Sequence, residues 1–249
     1  MNDHVTGIII REMDYRDYDA ILTVLTKEYG KISFHAAGVR KMSSRNAGSV
    51  LPYTMADFSF DYRAGRTMFR LKTARTIKLW RHLHEDFDMS SAAAVAAETC
   101  DALILEGTED ASVEKAFFLL EKAFDLLNSD KDSDTVLSLY ISDMLGISGL
   151  APDVDECTVC GKKQVAAVSA EEGGFLCAEH AGKAGISLSS PEDLHRFRLL
   201  VKGGLEHADI IEKAGGAERK DLRILIRIIR LHAGASMRSF TLYDRFSDH

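Results

Sequence analysis

Four soft metal ligands stand in two closely spaced pairs in the second half of the chain. Two residues separate Cys157 from Cys160, two separate Cys177 from His180, and sixteen lie between the pairs. A tight turn across each pair presents two ligands to one ion, and Gly161 suits a turn with positive φ. Four such ligands are typical of a closed, structural Zn²⁺ site. Of the four ligands, His180 is the one that the pattern supports least. The alternative to a metal site is a chance Cys-x-x-Cys beside an unrelated Cys and His.

Sequence patterns for catalytic zinc and for nucleotide hydrolysis are missing. A zinc deaminase needs His-x-Glu with Pro-Cys-x-x-Cys, but none of the nine histidines has Glu two residues later, and Cys157 follows Glu156. The pattern His-Glu-x-x-His is also missing, since His84-Glu85 has no second histidine at the required spacing. The lysines that follow a glycine lack the Ser or Thr of a phosphate-binding loop. We therefore expect a protein that is not an enzyme.

The chain is acidic as a whole but contains one strongly basic segment. Its 249 residues carry 31 Lys and Arg against 38 Asp and Glu, a net charge of −7. Residues 1–82 carry +6 and residues 83–249 carry −13, and within 31–81 only Asp57 and Asp61 oppose 11 basic residues. Such a segment is typical of a polyanion-binding surface. From charge alone, a solvated surface face is an equal alternative.

Composition and the first residues of the sequence also indicate in which cellular compartment the protein acts. The chain is 46% apolar, and its longest uncharged run, residues 46–56, is too short to span a bilayer. The first residues lack the basic and apolar stretches of a signal peptide. Four cysteines are too few for a disulfide scaffold in a chain this long, and Cys100 is expected to be a buried apolar residue. We expect a cytoplasmic protein with no membrane partner.

The first 80 residues have the apolar pattern of short strands joined by turns that contain glycine. Five strands are predicted, at residues 5–10, 21–25, 31–37, 56–62 and 67–79. A five-stranded barrel that binds nucleic acid is most often an OB-fold. Residues 39–50 are small, polar and basic, which predicts a long mobile loop between the third and fourth strands.

Helical periodicity begins near residue 83. Helices are predicted at residues 92–105, 113–127, 136–145, 191–213 and 218–234. The cysteines fall in an insert, which predicts a zinc-binding module at 153–185. The predicted fold class is α+β, with an N-terminal OB-fold barrel at 1–80 and an all-α domain at 83–249 that carries this module.

The basic segment supplies candidate nucleic-acid ligands, because cations hold phosphates and aromatic rings stack on bases in single-strand binders. The candidates are Lys31, Arg40, Lys41, Arg45, Arg63, Arg66, Arg70 and Lys72. Aromatic residues are interleaved with them, but the alternation of Phe58, Phe60 and Tyr62 favours core packing. Phe34 and Tyr53 are left open between the two roles.

The last predicted helix carries a second basic stripe on a different side from its apolar residues. The stripe contains Arg219, Arg223, Arg227 and Arg230. A docking groove for an acidic peptide or a second nucleic-acid contact is one interpretation. We favour a solvated face, because a 3.6-residue period produces such stripes readily.

Several segments together resemble a bacterial family of DNA repair proteins, the recombination mediator RecO. The N-terminal part of the resemblance consists of residues 15–22 (YRDYDAIL), 25–31 (LTKEYGK), 37–41 (AGVRK), Ser44-Arg45, Gly48 and 51–53 (LPY). The C-terminal part consists of Leu145-Gly146, Pro152, Cys157-x2-Cys160-Gly161 and Arg238-Ser239. Their order extends over most of the chain. One departure is His180, where many zinc-bearing members have a fourth cysteine.

The resemblance implies an OB-fold, a helical domain and structural Zn²⁺. It implies binding of single- and double-stranded DNA, annealing of complementary strands, and action with RecR to load RecA onto DNA coated by single-strand binding protein (SSB), whose C-terminal tail the family recognises. It places the protein at the bacterial nucleoid, and it makes the loop with Arg40, Lys41 and Arg45 a DNA contact. Two alternatives remain: an RNA-binding OB-fold protein, and a zinc-ribbon adaptor that acts through protein contacts without DNA activity.

Overall fold

The computed structural model describes residues 3–108 and 110–246. The chain divides into two compact units, Met1–Ser129 and Asp130–His249. The first unit contains a β-sheet followed by helices, and the second is mainly helical with one small hairpin. The predicted α+β class is confirmed. In the described part of the chain, every helix is too short or too polar to traverse a lipid bilayer.

The described residues of the first unit form one six-stranded sheet. Its strands are β1 (Asp3–Tyr15), β2 (Asp19–Thr26), β3 (Lys31–Ala36), β4 (Thr54–Phe60), β5 (Met68–Arg70) and β6 (Thr73–Leu79). Their order in the sheet is β5-β3-β2-β1-β4-β6. Only β3 and β5 are parallel among these neighbours. β1 pairs with both β2 and β4, and a register shift between Ile9 and Arg11 marks a bulge that bends it.

The sheet has six strands instead of five because residues 67–79 form two strands. Between β5 and β6, the Leu71 amide donates to the His35 carbonyl of β3 at 3.0 Å, and the Lys72 amide donates to the Ser59 carbonyl of β4 at 2.9 Å. The chain therefore passes directly from one edge of the curled sheet to the other. Within the described residues β5 and β6 do not pair, so the barrel is not closed by a strand pair.

Aromatic side chains fill the inner face of the sheet. The Phe34 and Phe58 rings stack with centroids 5.2 Å apart, and the Phe60 and Phe69 centroids are 4.9 Å apart. All four are buried, each burial being worth about 1.5–3 kcal/mol. Phe58 and Phe60 therefore have the predicted core role. Phe34, which the sequence left open between two roles, is also a core residue. Tyr62 was also predicted to be a core residue, but this prediction is wrong, because Tyr62 lies beyond the end of β4 and is 37% exposed.

Three helices follow the sheet in the described residues of the first unit: α1 (His82–Glu85), α2 (Phe87–Leu103) and α3 (Ala111–Asn128). Carboxylates cap the two longer ones, since Asp86 accepts from the Met89 amide and Asp110 from the Ser112 amide. Trp80 is buried and donates from Nε1 to Asp125 of α3 at 2.7 Å. This contact fixes α3 against the end of the sheet.

The second unit contains a helical bundle and a short hairpin. Its elements are α4 (Ser133–Ile147), β7 (Ala167–Ser169), β8 (Gly174–Leu176), α5 (Ala178–Ala184), α6 (Pro191–Gly203), α7 (Ala208–Lys213), α8 (Arg219–His232) and α9 (Arg238–Phe246). Instead of one helix over 191–213, the chain forms α6 and α7. Gly204 has φ +74°, and a 3-10 turn at Leu205–His207 separates the two helices.

The arginine stripe of α8 is largely exposed, as expected, since Arg223, Arg227 and Arg230 all face solvent. Two of its arginines also bind neighbouring segments. Arg219 contacts Asp134 at 2.8 Å and Arg223 contacts Asp244 at 2.9 Å. The buried Tyr243 hydroxyl donates to Asp134 at 2.7 Å. These contacts anchor α9, a helix that sequence periodicity did not identify.

Candidate metal centre and nucleic-acid interface

The four predicted metal ligands meet at one point, and we call them the metal cluster: Cys157, Cys160, Cys177 and His180. Their ligand atoms all lie within 4.8 Å of one another. His180 Nδ1 is 3.4 Å from Cys157 Sγ and 3.3 Å from Cys177 Sγ, and the sulfurs of Cys160 and Cys177 are 3.8 Å apart. Tetrahedral Zn²⁺ requires about 3.8 Å between sulfurs and about 3.5 Å between sulfur and nitrogen. The cluster could therefore hold a metal ion.

Local backbone structure positions these ligands. The Gly161 amide donates to the Cys157 carbonyl at 2.8 Å, and Gly161 has φ +68°, the left-handed conformation that its position predicted. Cys177 is the N-cap of α5, so His180 lies within the first turn of that helix. The two turns face each other, which explains why two local pairs form one site.

The environment of Cys157 favours its thiolate. Desolvation raises the pKa of this thiol, but hydrogen bonds from the Cys177, Val159 and Cys160 amides and from the His180 ring outweigh it and lower the pKa to about 6. Thiolate is the form of cysteine that binds a metal ion. Cys157 is thus prepared to bind a cation. At Cys160 a backbone hydrogen bond is outweighed by desolvation and the neighbouring Cys157 and Cys177 sulfurs, so the pKa of this thiol is raised.

The metal module, residues 153–185, is attached to the helices of its own unit. Arg198 of α6 contacts Asp155 at 2.7 Å, and it also donates to the main chain of the module. The His232 ring of α8 lies 2.8 Å from the Ala170 carbonyl oxygen. The module is therefore part of the packed second unit.

Three exposed cations lie on the loop between β3 and β4, and we call them the loop cations: Arg40, Lys41 and Arg45. The loop has the predicted position, but hydrogen bonds tie its second half to β6. Asn46 Oδ1 accepts from the Ala74 amide at 3.1 Å, and Ser49 Oγ accepts from the Thr76 amide at 3.2 Å. These bonds also cover outward amides of the β6 edge.

Four more exposed cations surround a cavity of about 260 Å³ beside β5, and we call them the groove cations: Arg63, Arg66, Arg70 and Lys72. Asp61 also lines the cavity. The hydrogen bond from Lys72 holds the pKa of Asp61 below its usual range. One ionised carboxylate among four cations leaves the cavity positively charged, which suits phosphate groups.

Lys31 has a different environment from the other predicted DNA ligands. It is 7% exposed, and its Nζ donates to the Asp101 side chain at 2.8 Å and to the Asp101 carbonyl at 2.6 Å. This pair joins β3 to α2. Because the ammonium group is buried and paired, Lys31 is not included in the interface that we propose below.

The β1–β2 hairpin presents two exposed aromatic rings that sequence reasoning did not select, and we call Tyr15 and Tyr18 the tyrosine pair. Their exposed fractions are 37% and 54%. Between them, Arg16 adopts φ +55° at the tip. The available signal was two tyrosines and an arginine in a charged turn between two apolar runs. Tyr53, in contrast, packs its ring against Phe124.

The tyrosine pair, the loop cations and the groove cations adjoin, and together we call them the basic face. The Arg40 amide donates to the Tyr18 carbonyl at 3.0 Å. The His35 ring packs edge-on against Tyr15 with centroids 5.5 Å apart, and His35 is the register partner of Arg70. Backbone pairing thus brings together residues from distant parts of the sequence.

Comparison with known families decides the assignment. The family model described as recombination protein O N terminal matches residues 1–80, and recombination protein O C terminal matches residues 84–240. The chain belongs to the RecO family. The resemblance carried by the sequence segments is confirmed, and the names of the family's members refer to DNA repair and recombination.

Curated relatives of this chain carry the same family name, RecO. The DNA repair protein RecO of Bacillus pumilus is 31% identical over 173 residues, which cover 69% of this chain and 65% of the relative, slightly under two thirds. The RecO of Desulforamulus reducens is 30% identical over 178 residues, covering 70% and 67%. That of an Exiguobacterium species is 26% identical over 250 residues, covering 93% and 98%.

Proposed function

We propose that this chain is a recombinational DNA repair mediator that binds single- and double-stranded DNA on its basic face and anneals complementary strands. The observation that carries the proposal is the clustering of seven exposed cations, the loop and groove cations, on the N-terminal sheet of a RecO-family chain. Lysine and arginine neutralise phosphates and release counterions, so affinity should fall steeply with salt.

The proposed mechanism breaks no covalent bond, and we propose no catalytic residue. Cations on the basic face reduce the repulsion between two phosphate backbones, so complementary strands held there can pair faster. Residues 83–249 carry a net −13, which repels DNA and favours its confinement to the basic face.

The partners that we propose rest on family membership. With RecR, the chain would help load RecA onto single-stranded DNA coated by SSB, and it would recognise the SSB C-terminal tail. RecA would be an indirect partner. This work would take place in the bacterial cytoplasm, at the nucleoid.

We propose Zn²⁺ as the ion of the metal cluster. Three sulfurs and one imidazole nitrogen within 4.8 Å of one another are a donor set that zinc prefers, and the four ligands leave no position for a reacting water. Bound zinc would cross-link the two turns of the metal module. It would stabilise the second unit without taking part in a reaction.

Direct binding measurements test this proposal. We would measure the affinity of the full chain for single-stranded DNA, duplex DNA and RNA of equal length, by fluorescence anisotropy at several salt concentrations. Salt-dependent binding to both DNA forms is expected. Binding to RNA alone would favour the RNA-binding alternative, and a lack of nucleic-acid binding at every salt concentration would favour a protein adaptor. Either result would contradict the proposal.

A further inference from the structure

We propose that Tyr15 and Tyr18 form a base-stacking platform that gives the basic face a binding mode specific for single strands. The inference rests on the DNA binding proposed above and names the groups that would separate single-stranded from duplex DNA. Cations alone do not make this distinction, because both substrates present phosphates.

The exposure of the two rings is the first observation. Tyr18 is 54% exposed and Tyr15 is 37% exposed at the end of a hairpin, while the phenylalanines of the same unit's sheet fill its core. Exposed aromatic rings can stack on an unpaired base, and every base has a face for stacking. In a duplex the bases already stack on one another, so the platform has little to bind.

Cations accompany both rings. The Arg16 guanidinium lies 5.0 Å from the Tyr15 ring centroid, and the Lys41 ammonium lies 5.5 Å from the Tyr18 centroid. Each cation lies over its ring, so a base that displaces the cation or stacks on the other face of the ring keeps a positive charge close to its phosphate. This combination of ring and cation is the one that sequence-tolerant single-strand binders use.

The platform is held in place by its neighbours. The Gly38 amide donates to Asp19 at 2.8 Å, and the His35 ring contacts the same carboxylate at 2.8 Å. With the bond from the Arg40 amide to Tyr18, these contacts fix the hairpin against the loop. A preordered surface loses less entropy on binding.

The carboxylates of the hairpin limit its affinity for DNA, and one of them provides a second test of the proposed platform. Asp14 contacts Arg40 at 2.8 Å, and Asp19 accepts the hydrogen bonds described above. Asp17 lies exposed beside Arg16 at the tip. Its negative charge opposes an approaching phosphate, so Asp17→Asn should tighten binding.

A continuous path leads from the platform to the groove cations. His35 contacts Tyr15 and is paired with Arg70 in the β3–β5 register. A strand that stacks on the tyrosine pair can therefore place its following phosphates at the cavity beside β5. The occupant that fits this sequence of groups is one flexible strand of DNA.

The test compares a double variant, Tyr15→Leu with Tyr18→Leu, with the full wild-type chain. Single-strand affinity should fall by about 10-fold or more, since stacking on one base contributes about 5-fold to 150-fold. Duplex affinity and the salt dependence of binding should stay unchanged. A strand containing 2-aminopurine should lose its fluorescence on binding the wild type and retain it with the variant. Tyr15→Phe with Tyr18→Phe should preserve the wild-type behaviour, because the rings remain.

A matched control lies elsewhere in the same unit. Phe118 of α3 is 47% exposed and has the Lys27 ammonium 4.3 Å from its ring centroid, so it reproduces the ring and cation outside the basic face. Phe118→Leu should leave single-strand affinity unchanged. Equal loss with this variant would overturn the inference.

Two further results would also overturn it. If the double variant binds single strands as the wild type does, while loss of the groove cations weakens binding, the proposed DNA function stands and the stacking platform is wrong. If the double variant loses single-strand and duplex affinity equally, the tyrosines act through hairpin structure and not through bases. Failure of the wild type to bind any DNA would instead reject the proposed function itself.

Discussion

The main-chain amide of Arg40 donates a 3.0 Å hydrogen bond to the carbonyl oxygen of Tyr18. This bond joins the basic loop after β3 to the hairpin between β1 and β2. Side-chain substitution at either residue keeps the donor and the acceptor, because both are backbone atoms. The cations and the tyrosine rings of the basic face can therefore be substituted separately. The contribution of each to the proposed DNA binding can be measured directly.

The salt dependence of DNA binding should follow the number of cations on the basic face. Arg40→Ala, Lys41→Ala and Arg45→Ala, combined in one loop variant, should weaken single-strand binding and flatten the plot of log affinity against log salt. Removing one cation that neutralises a phosphate should reduce the slope by about 0.7. Fluorescence anisotropy over a salt series measures both quantities.

A groove variant, in which all four groove cations are replaced by alanine, should behave in the same way. Lys115→Ala provides the control, because Lys115 is an exposed cation on α3 in the same unit. Unchanged affinity and slope in both the loop and groove variants would mean that DNA binds a different surface.

Replacement of Lys31 should affect stability and not DNA binding. Lys31→Met leaves Asp101 without its buried ammonium partner, although Arg11 remains 3.5 Å from that carboxylate. We expect a loss of about 3 kcal/mol in the free energy of unfolding, the lower end of the range for broken buried pairs. Denaturant unfolding measures the loss. Lys72→Met should do the opposite, lowering DNA affinity while preserving stability, and a reversal of these two outcomes would contradict the assignment.

Metal content should depend on the cluster residues alone. Cys160→Ser should greatly reduce the zinc bound per chain and lower the unfolding temperature, whereas His180→Cys should retain zinc, because four thiolates also satisfy tetrahedral coordination. Elemental analysis of purified chains checks this. Cys100→Ala is the control, since Cys100 is buried in α2 outside the cluster. Full zinc retention by Cys160→Ser would rule out the proposed site.

Acid should weaken the second unit through Asp193. Hydrogen bonds from Lys220 and then from Arg196 lower the pKa of Asp193 from 3.8 to about 2. The unfolded chain therefore takes up this proton first, and the stabilisation present above about pH 4 is lost as the pH falls toward 2. In urea unfolding at pH 5 and pH 2.5, Asp193→Asn should lose less stability over this interval than the wild type. An equal or larger loss in the variant would contradict this prediction.

Local sequence signals predicted the parts of the molecule that depend on neighbours in the chain. The spacing of Cys157 and Cys160, with Gly161 after them, was sufficient because one tight turn positions both ligands. The α+β order could likewise be predicted from the change in apolar period near residue 83.

Long-range pairing explains what sequence did not reveal. Lys31 lies in the basic segment, so the sequence made it a candidate DNA ligand. Nothing in its local sequence indicates that it would pair with Asp101 on α2. The division of residues 67–79 into β5 and β6 depends on bonds to His35 and Ser59 on two other strands. Tyr15 and Tyr18 were not selected as interface residues because their position beside the basic loop is set by tertiary structure.

The most direct test of the central claim is an annealing assay with two complementary oligonucleotides coated by SSB. The rate is compared with and without the full chain, at low and high salt, and with the groove variant. We predict that the wild type accelerates annealing, that salt suppresses the acceleration, and that the groove variant is slower at low salt. Acceleration that is insensitive to salt and equal in the groove variant would contradict this prediction, as would a lack of any acceleration by the wild type.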